Sequence, residues 1–199
     1  MKTIAPTTHF ENLKQKILSY TPISDEVLRE QLQYYKRIDL KKGESLVVPG
    51  QLVDHFYYVA IGCIYYYKLD EGEQKVLEFY TDDLFFTDLP AYVKGTASHY
   101  YLKASEATVV YAIKKSDAEN SFERSHQLER FGRLSMQEAF MKIFTRVERF
   151  NSRTNEERYL RLLAKRPDLF QRVPQYLIAS YLGLTPVGLS KLRKRLGKG

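Results

Sequence analysis

Between residues 174 and 196 the chain reads PQYLIASYLGLTPVGLSKLRKRL, a segment whose side chains can grip a polyanion and read its surface. Lys191, Lys194 and Arg195 supply cations, Gln175, Thr185 and Ser190 supply hydrogen-bonding groups, and Val187 supplies methyls. A DNA major groove has a partner for each: phosphate oxygens for cations and hydroxyls, base edges for a lysine, a thymine methyl for a valine. Lys191 is assigned to a base edge, and Ser190 and Val187 to shape and methyl contacts. Gln175, Thr185, Lys194 and Arg195 are assigned to phosphates. Pro186 opens the helix and cannot itself hydrogen-bond a base.

Spacing decides whether these residues can act together. Leu189, Leu192 and Leu196 recur at +3 and +4, which predicts the inner stripe of a helix with Val187, Ser190, Lys191 and Lys194 on its outward side. Thr185 is a good N-cap and Pro186 a good first helical residue. Ile178, Ala179 and Leu182 predict the inner face of a preceding helix, Gly183 the turn, and Leu184 its plug. The pattern is a helix-turn-helix. A helical hairpin in an ordinary core would match two or three of these positions by accident, but not all of them.

Charge follows the same segment. Residues 151–199 hold eleven Lys or Arg against three Asp or Glu, a net +8. Residues 1–150 hold twenty against twenty-one, a net −1. The chain's +7 therefore sits on the motif, where counterion release from a phosphate backbone rewards it. A merely soluble basic surface explains an excess but not its confinement.

The remaining 150 residues must position this segment. At 199 residues and 44% hydrophobic content the chain can bury one or two cores. No apolar run approaches about 18 residues, and the start MKTIAPTTHFENLKQK lacks a secretory apolar core, so a cytoplasmic protein is expected. The single Cys63 forms no internal disulfide, builds no metal or iron–sulfur site alone, and is expected as a buried thiol. His9, His55, His99 and His126 show no metal-like spacing, and no cofactor or metal is expected.

Helical spacing covers residues 9–20 (Phe10, Leu13, Ile17) and 24–35 (Val27, Leu28, Leu32). From about 38 to 113 short aromatic and β-branched runs alternate with turn chemistry. Strands are predicted at 56–60, 63–69, 74–80, 99–104 and 107–113, the spacing of a sandwich or barrel. After Ser116 a long helix is predicted. Met136, Phe140, Ile143, Val147 and Phe150 form a heptad seam on it, with Leu134, Met141 and Phe144 as a second stripe. One stripe covers the barrel and the other pairs with a second copy of the chain; the alternative is that both are intrachain core. The near-perfect 3.5 period favours a homodimer. Thr154-Asn155-Glu156-Glu157 is a capping box, with Leu160 and Leu163 expected inside the helix it opens. Domains are therefore placed at 1–116, a sensor with N-terminal helices; 117–151, a dimerisation helix; and 152–199, a helix-turn-helix unit.

The order of parts resembles the bacterial cyclic-AMP receptor protein (CRP/FNR) superfamily of transcription regulators. Lys42-Gly43-Glu44-x-Leu46-x3-Gly50 and Phe56-Tyr57-Tyr58-Val59-x2-Gly62-x-Ile64 look like the first half of its cyclic-nucleotide-binding β-roll. The hairpin Lys68–Lys75, the long helix and the C-terminal motif follow in the family's order. The resemblance implies an α+β fold: a β-roll sensor, a dimerising helix and a DNA-binding helix-turn-helix, here without the usual terminal wing. It implies promoter DNA, a second copy of the chain and RNA polymerase as partners.

The departures are as informative. Members that bind cyclic AMP carry Phe-Gly-Glu-Leu, whose Glu holds the ribose, and then an Arg that neutralises the phosphate. Here the matching stretch is Phe86-Thr87-Asp88-Leu89, and Ser98 and His99 stand near the missing Arg. Burying a phosphate without a cation is costly, so cyclic AMP is not expected. Thr87, Asp88, Leu89, Ser98 and His99 are the candidate effector pocket; Asp88 and His99 either line it for a different ligand or are ordinary surface groups. Two alternatives to a dimeric regulator are a small-molecule- or protein-binding sensor module without DNA regulation, and a cupin-type enzyme. The enzyme needs His-x-His, which the sequence lacks, and no nucleophile–base motif or phosphate loop is present.

Overall fold

The computed structural model describes residues 6–152 and 154–197. Helices α1 (Pro6–Tyr20) and α2 (Asp25–Gln33) come first. Eight strands follow: β1 (Lys36–Leu40), β2 (Ser45–Val47), β3 (His55–Ile61), β4 (Cys63–Asp70), β5 (Glu73–Thr81), β6 (Leu84–Phe86), and, after the short helix α3 (Leu89–Lys94), β7 (Tyr101–Ala104) and β8 (Thr108–Lys114). They form two antiparallel four-stranded sheets, in the orders β1-β8-β3-β6 and β2-β7-β4-β5. Strand alternation places Val59, Ile64, Phe86, Leu102 and Val110 in the buried core between the sheets, while Tyr58, next to Val59, is buried on the other face of β3 with Phe85.

Turn chemistry fixes the register. Between β4 and β5 the two linking residues, Glu71 and Gly72, have φ of 52° and 82°. Two positive values are the signature of a type I′ hairpin, whose twist suits the flanking strands. Gly62 joins β3 to β4 at φ 108°, and a Cβ there would sit 2.4 Å from the Thr108 hydroxyl oxygen and 2.6 Å from its Cα. Only glycine fits at that contact.

The helical stretch expected over 117–150 is two helices. The first, α4 (Lys115–Arg124), ends where Ser125 turns extended at φ −146°, ψ 113°, and α5 (His126–Ser152) starts afresh. The break lets α4 fold back on β8 while α5 runs across the barrel, burying Leu128 and Phe131.

Four helices complete the chain: α6 (Asn155–Lys165), α7 (Leu169–Arg172), α8 (Gln175–Leu182) and α9 (Pro186–Leu196). The capping box is present in both directions: Glu157 donates its backbone N–H to Thr154 Oγ1 at 3.2 Å, and Thr154 N–H donates to the Glu157 carboxylate at 2.8 Å. The inward face of α6 differs from the expected one. Tyr159 and Leu162 are buried, whereas Leu160 and Leu163 are exposed. Tyr159 packs edge-on against Phe170, with ring centroids 5.7 Å apart, and that ring pair sets the helix's rotation.

These helices do not stand apart from the barrel. A second core joins Cys63, Tyr65, Tyr67, Val76 and Phe79 of the β4–β5 hairpin to Leu162, Leu177, Ile178 and Tyr181 of the C-terminal helices. Val76 N–H donates to Ser180 Oγ at 2.9 Å, and that hydroxyl donates to the Gln74 carbonyl at 2.6 Å. No helix among the described residues is long and apolar enough to cross a membrane.

Candidate nucleic-acid interface and sensor pocket

Local chemistry builds the turn between α8 and α9. Gly183 caps α8 at φ 72°, the left-handed conformation glycine adopts freely. Its N–H and that of Leu184 return to Ser180 and Ala179 carbonyls. Thr185 caps α9, its hydroxyl accepting from Gly188 N–H at 3.0 Å, with Pro186 in the first turn. Ile178, Ala179, Leu182, Leu189 and Leu192 are buried between and beneath the two helices.

That packing turns the other side of α9 to solvent. Val187 is 64% exposed, and Ser190, Lys191, Lys194 and Arg195 are exposed with it; so are Thr185, Pro186 and, on the first turn of α8, Gln175. All eight residues are exposed. Arg195 also bonds Glu156 of α6, an exposed pair of small energetic weight.

The predicted seam divides along α5. Phe140, Ile143 and Val147 are 59%, 43% and 56% exposed, and Met141 and Phe144 lie open beside them. Met136 differs: it packs on the barrel core, because the N-terminal half of α5 lies on the sheets. The side chain of Phe150 lies outside the described residues.

The effector candidates do not converge on one cavity. Asp88 is 1% exposed and accepts hydrogen bonds from Tyr66 Oη at 3.0 Å and Ser98 Oγ at 2.6 Å. Burial first, and then the Asp88 carboxylate, hold the Tyr66 phenol far above its usual pKa, so it stays a donor. Ser98 Oγ also accepts from Tyr100 N–H at 2.9 Å. Asp88 and Ser98 thus satisfy one another within the protein. Thr87 donates its hydroxyl to the His55 carbonyl at 2.9 Å, and His99 points to solvent. Thr87 and Leu89 do line a cavity of about 180 Å³, whose other walls are Tyr66, Tyr80, Phe86 and Tyr100 with Ala139 and Ile143 of α5. Its one cation, Lys142, is paired with Glu138 at 2.6 Å. Sequence reasoning missed Tyr66 and Tyr100, whose rings lie 4.7 Å apart. The alternation of β4 would have turned Tyr66 inward with Ile64, but a run of three tyrosines hides which one faces in.

Sequence reasoning also missed Arg172, which ties α7 to the barrel. Its guanidinium donates to Glu106 at 2.9 and 2.7 Å, to Asp82 at 2.6 Å and to the Gly62 carbonyl at 2.8 Å. Burial alone would lower its pKa, but the hydrogen bonds to Asp82 and Glu106 outweigh that and raise it. Its partners lie 66 to 110 residues earlier, beyond any local signal.

Comparison with known proteins covers the β-roll. Residues 37–125 match the family described as cyclic nucleotide-binding domain. FixK2 from Bradyrhizobium japonicum is similar at a TM-score of 0.68 and 19% identity, covering 82% of this chain and 85% of that one. The Catabolite Activator Protein of Thermus thermophilus gives 0.55 and 15%, covering 92% and 87%. The sensor domain of the transcriptional regulator DNR from Pseudomonas aeruginosa gives 0.53 and 22%, covering 74% and 94%. At these identities the likeness is one of fold. No curated protein matches the chain in sequence.

Proposed function

We propose that this chain is a dimeric, sequence-specific DNA-binding regulator of transcription, not an enzyme, acting in the cytoplasm on promoter DNA and RNA polymerase. Its β-roll is a sensor that does not respond to cyclic AMP. In this reading residues 1–116 sense, α5 within 117–151 pairs two copies through Phe140, Ile143 and Val147, and residues 152–199 carry the helix-turn-helix. Phosphate contacts fall to Gln175, Thr185, Lys194 and Arg195.

The observation that carries the reading is the free outward face of α9. Leu189 and Leu192 anchor the helix while Val187, Ser190, Lys191 and Lys194 stand clear of the protein. The confinement of net charge to this end supports it. Against cyclic AMP stand Asp88, already satisfied by Tyr66 and Ser98, and the one cavity cation, already held by Glu138.

Two α9 helices related by a dimer two-fold would enter successive major grooves about 34 Å apart and select a palindrome. Selection on random duplexes should return that palindrome. Lys191→Ala should cost roughly 1–3 kcal/mol on the preferred site and relax one base pair per half-site. Lys194→Ala should weaken all sequences alike and lower the salt slope by about one. Selection that returns no palindrome would overturn the docking.

A further inference from the structure

α6 presents Arg158, Arg161 and Lys165 three and four residues apart, on one face of the helix, with Arg166 at its end. They border a cavity of about 500 Å³ enclosed by β5, α5, α6 and α8. That volume lies in the range of roughly 300–1,000 Å³ that holds drug-sized molecules; the cavity beside Thr87, at about 180 Å³, does not. The two cavities share a wall made by Glu78, Tyr80 and Lys142, and none of the predicted effector residues lines the larger one.

Its apolar lining is Phe79, Leu84, Leu162 and Leu182, with the more exposed Met141 of α5. Its charge is one-sided. The acids that face it are engaged: Glu138 with Lys142 and the Tyr20 hydroxyl, Glu78 with the Tyr181 hydroxyl and Phe79 N–H. Arg166 donates to the Phe79 carbonyl at 3.1 Å and the Thr81 hydroxyl at 2.9 Å. Arg161, half-buried, and Lys165, exposed, have no hydrogen-bond or ion-pair partner among the described residues. Like charges four apart on a helix repel, and a bound anion would relieve that repulsion.

The geometry points to a second ligand site here, for an organic anion: a carboxylate or phosphate head at Arg161 and Lys165, and an apolar body against Phe79, Met141 and Leu162. An inorganic anion leaves the apolar walls empty. A neutral molecule leaves the cations unpaired. The walls come from both sides of the junction, β5 and α5 on one and α6 and α8 on the other, so an occupant stabilises one placement of α8 and α9 against the sheet. Binding at this site is independent of what α9 reads; a linked change in DNA affinity rests on the function proposed above.

The test is a fluorescence titration of the full chain with 1-anilinonaphthalene-8-sulfonate, an aromatic anion, and with neutral N-phenyl-1-naphthylamine. Arg161→Gln combined with Lys165→Gln should weaken the sulfonate at least about tenfold and leave the neutral dye unchanged. Met141→Trp, which fills the cavity and keeps the cations, should weaken both dyes. It decides alone if the double variant loses its cooperative melt. Competition then identifies the head group: displacement by decanoate in preference to octyl phosphate marks a carboxylate site, and the reverse a phosphate site. The proposal is overturned if both variants bind the sulfonate as the parent does, or if inorganic phosphate displaces the dye as well as the organic anions do.

Discussion

Replacing Arg172 by methionine keeps the aliphatic stem and deletes the guanidinium that joins α7 to the barrel. Three acceptors lose a charged donor: Glu106, Asp82 and the Gly62 carbonyl. A hydrogen bond to a charged group contributes about 1.5–3 kcal/mol when shielded, and an exposed ion pair under about 1. Asp82 is 41% exposed and Glu106 31%, so both acids recover water once the arginine is gone. The loss is therefore well short of the additive sum, about 3 kcal/mol, or roughly a hundredfold in the equilibrium for undocking the C-terminal helices. The Val76 amide reads that equilibrium, because its acceptor is Ser180 of α8. Hydrogen exchange of the segment around Val76 should accelerate about a hundredfold in Arg172→Met, while Tyr58, paired inside the barrel with Tyr111 and Phe85, keeps its protection. Glu106→Gln in the same background should add less than it does alone. Val76 protection within about threefold of the parent would refute the claim that Arg172 holds the junction.

Gly62→Ala forces a side chain onto the Thr108 backbone at a φ of 108°, and should cost about 3 kcal/mol or more, a fall of roughly 6–12 °C in Tm by calorimetry. Val147→Lys puts a charge on the open face of α5, 56% exposed in one chain, so the monomer should stay folded while self-association weakens at least about a hundredfold; a parent chain that sediments as a monomer at about 20 µM would rule out the pairing. Burial, partly offset by the Ser105 hydrogen bond, pushes the Cys63 thiol up to about 11 from 9.0, so a thiol reagent at about pH 8 should modify it only after denaturant is added. The same shift has a sign for stability. The folded state holds the proton more tightly, so this contribution is complete below pH 9.0 and fades as pH rises toward 11.

Elements governed by neighbouring residues were legible in the sequence. Thr154 and Glu157 announce their capping box, and Gly183, Thr185 and Pro186 their turn, because each interaction closes within a few residues. Strand positions follow from alternation: 63–69 stops one residue short of β4, and 74–80 is one residue short of β5 at each end. Long-range choices were hidden. Leu160 looks as apolar as Leu162, and only the Phe170 ring, brought back by α7, selects the face with Tyr159. Asp88 reads as a ligand contact until Tyr66, twenty-two residues earlier, is seen to donate to it. The break at Ser125 has no Pro or Gly to mark it; α4 turns away there because β8 offers a surface for it.

The hairpin face bearing Tyr65, Tyr67, Val76 and Phe79 is buried only because α6 to α9 cover it. Cutting the chain near residue 153 would wet aromatic rings on one fragment and Leu177, Ile178 and Tyr181 on the other, so neither half is a finished folding unit. The two ends should melt in one transition. The same adhesion makes the head bearing α9 a poor free swimmer. Any large swing of that head starts by peeling a greasy strip from the sheet, at about 25 cal/mol for each Å² uncovered. A stimulus that reorients it must offset that toll, so the resting population is overwhelmingly docked and small rotations about the strip are the inexpensive motions.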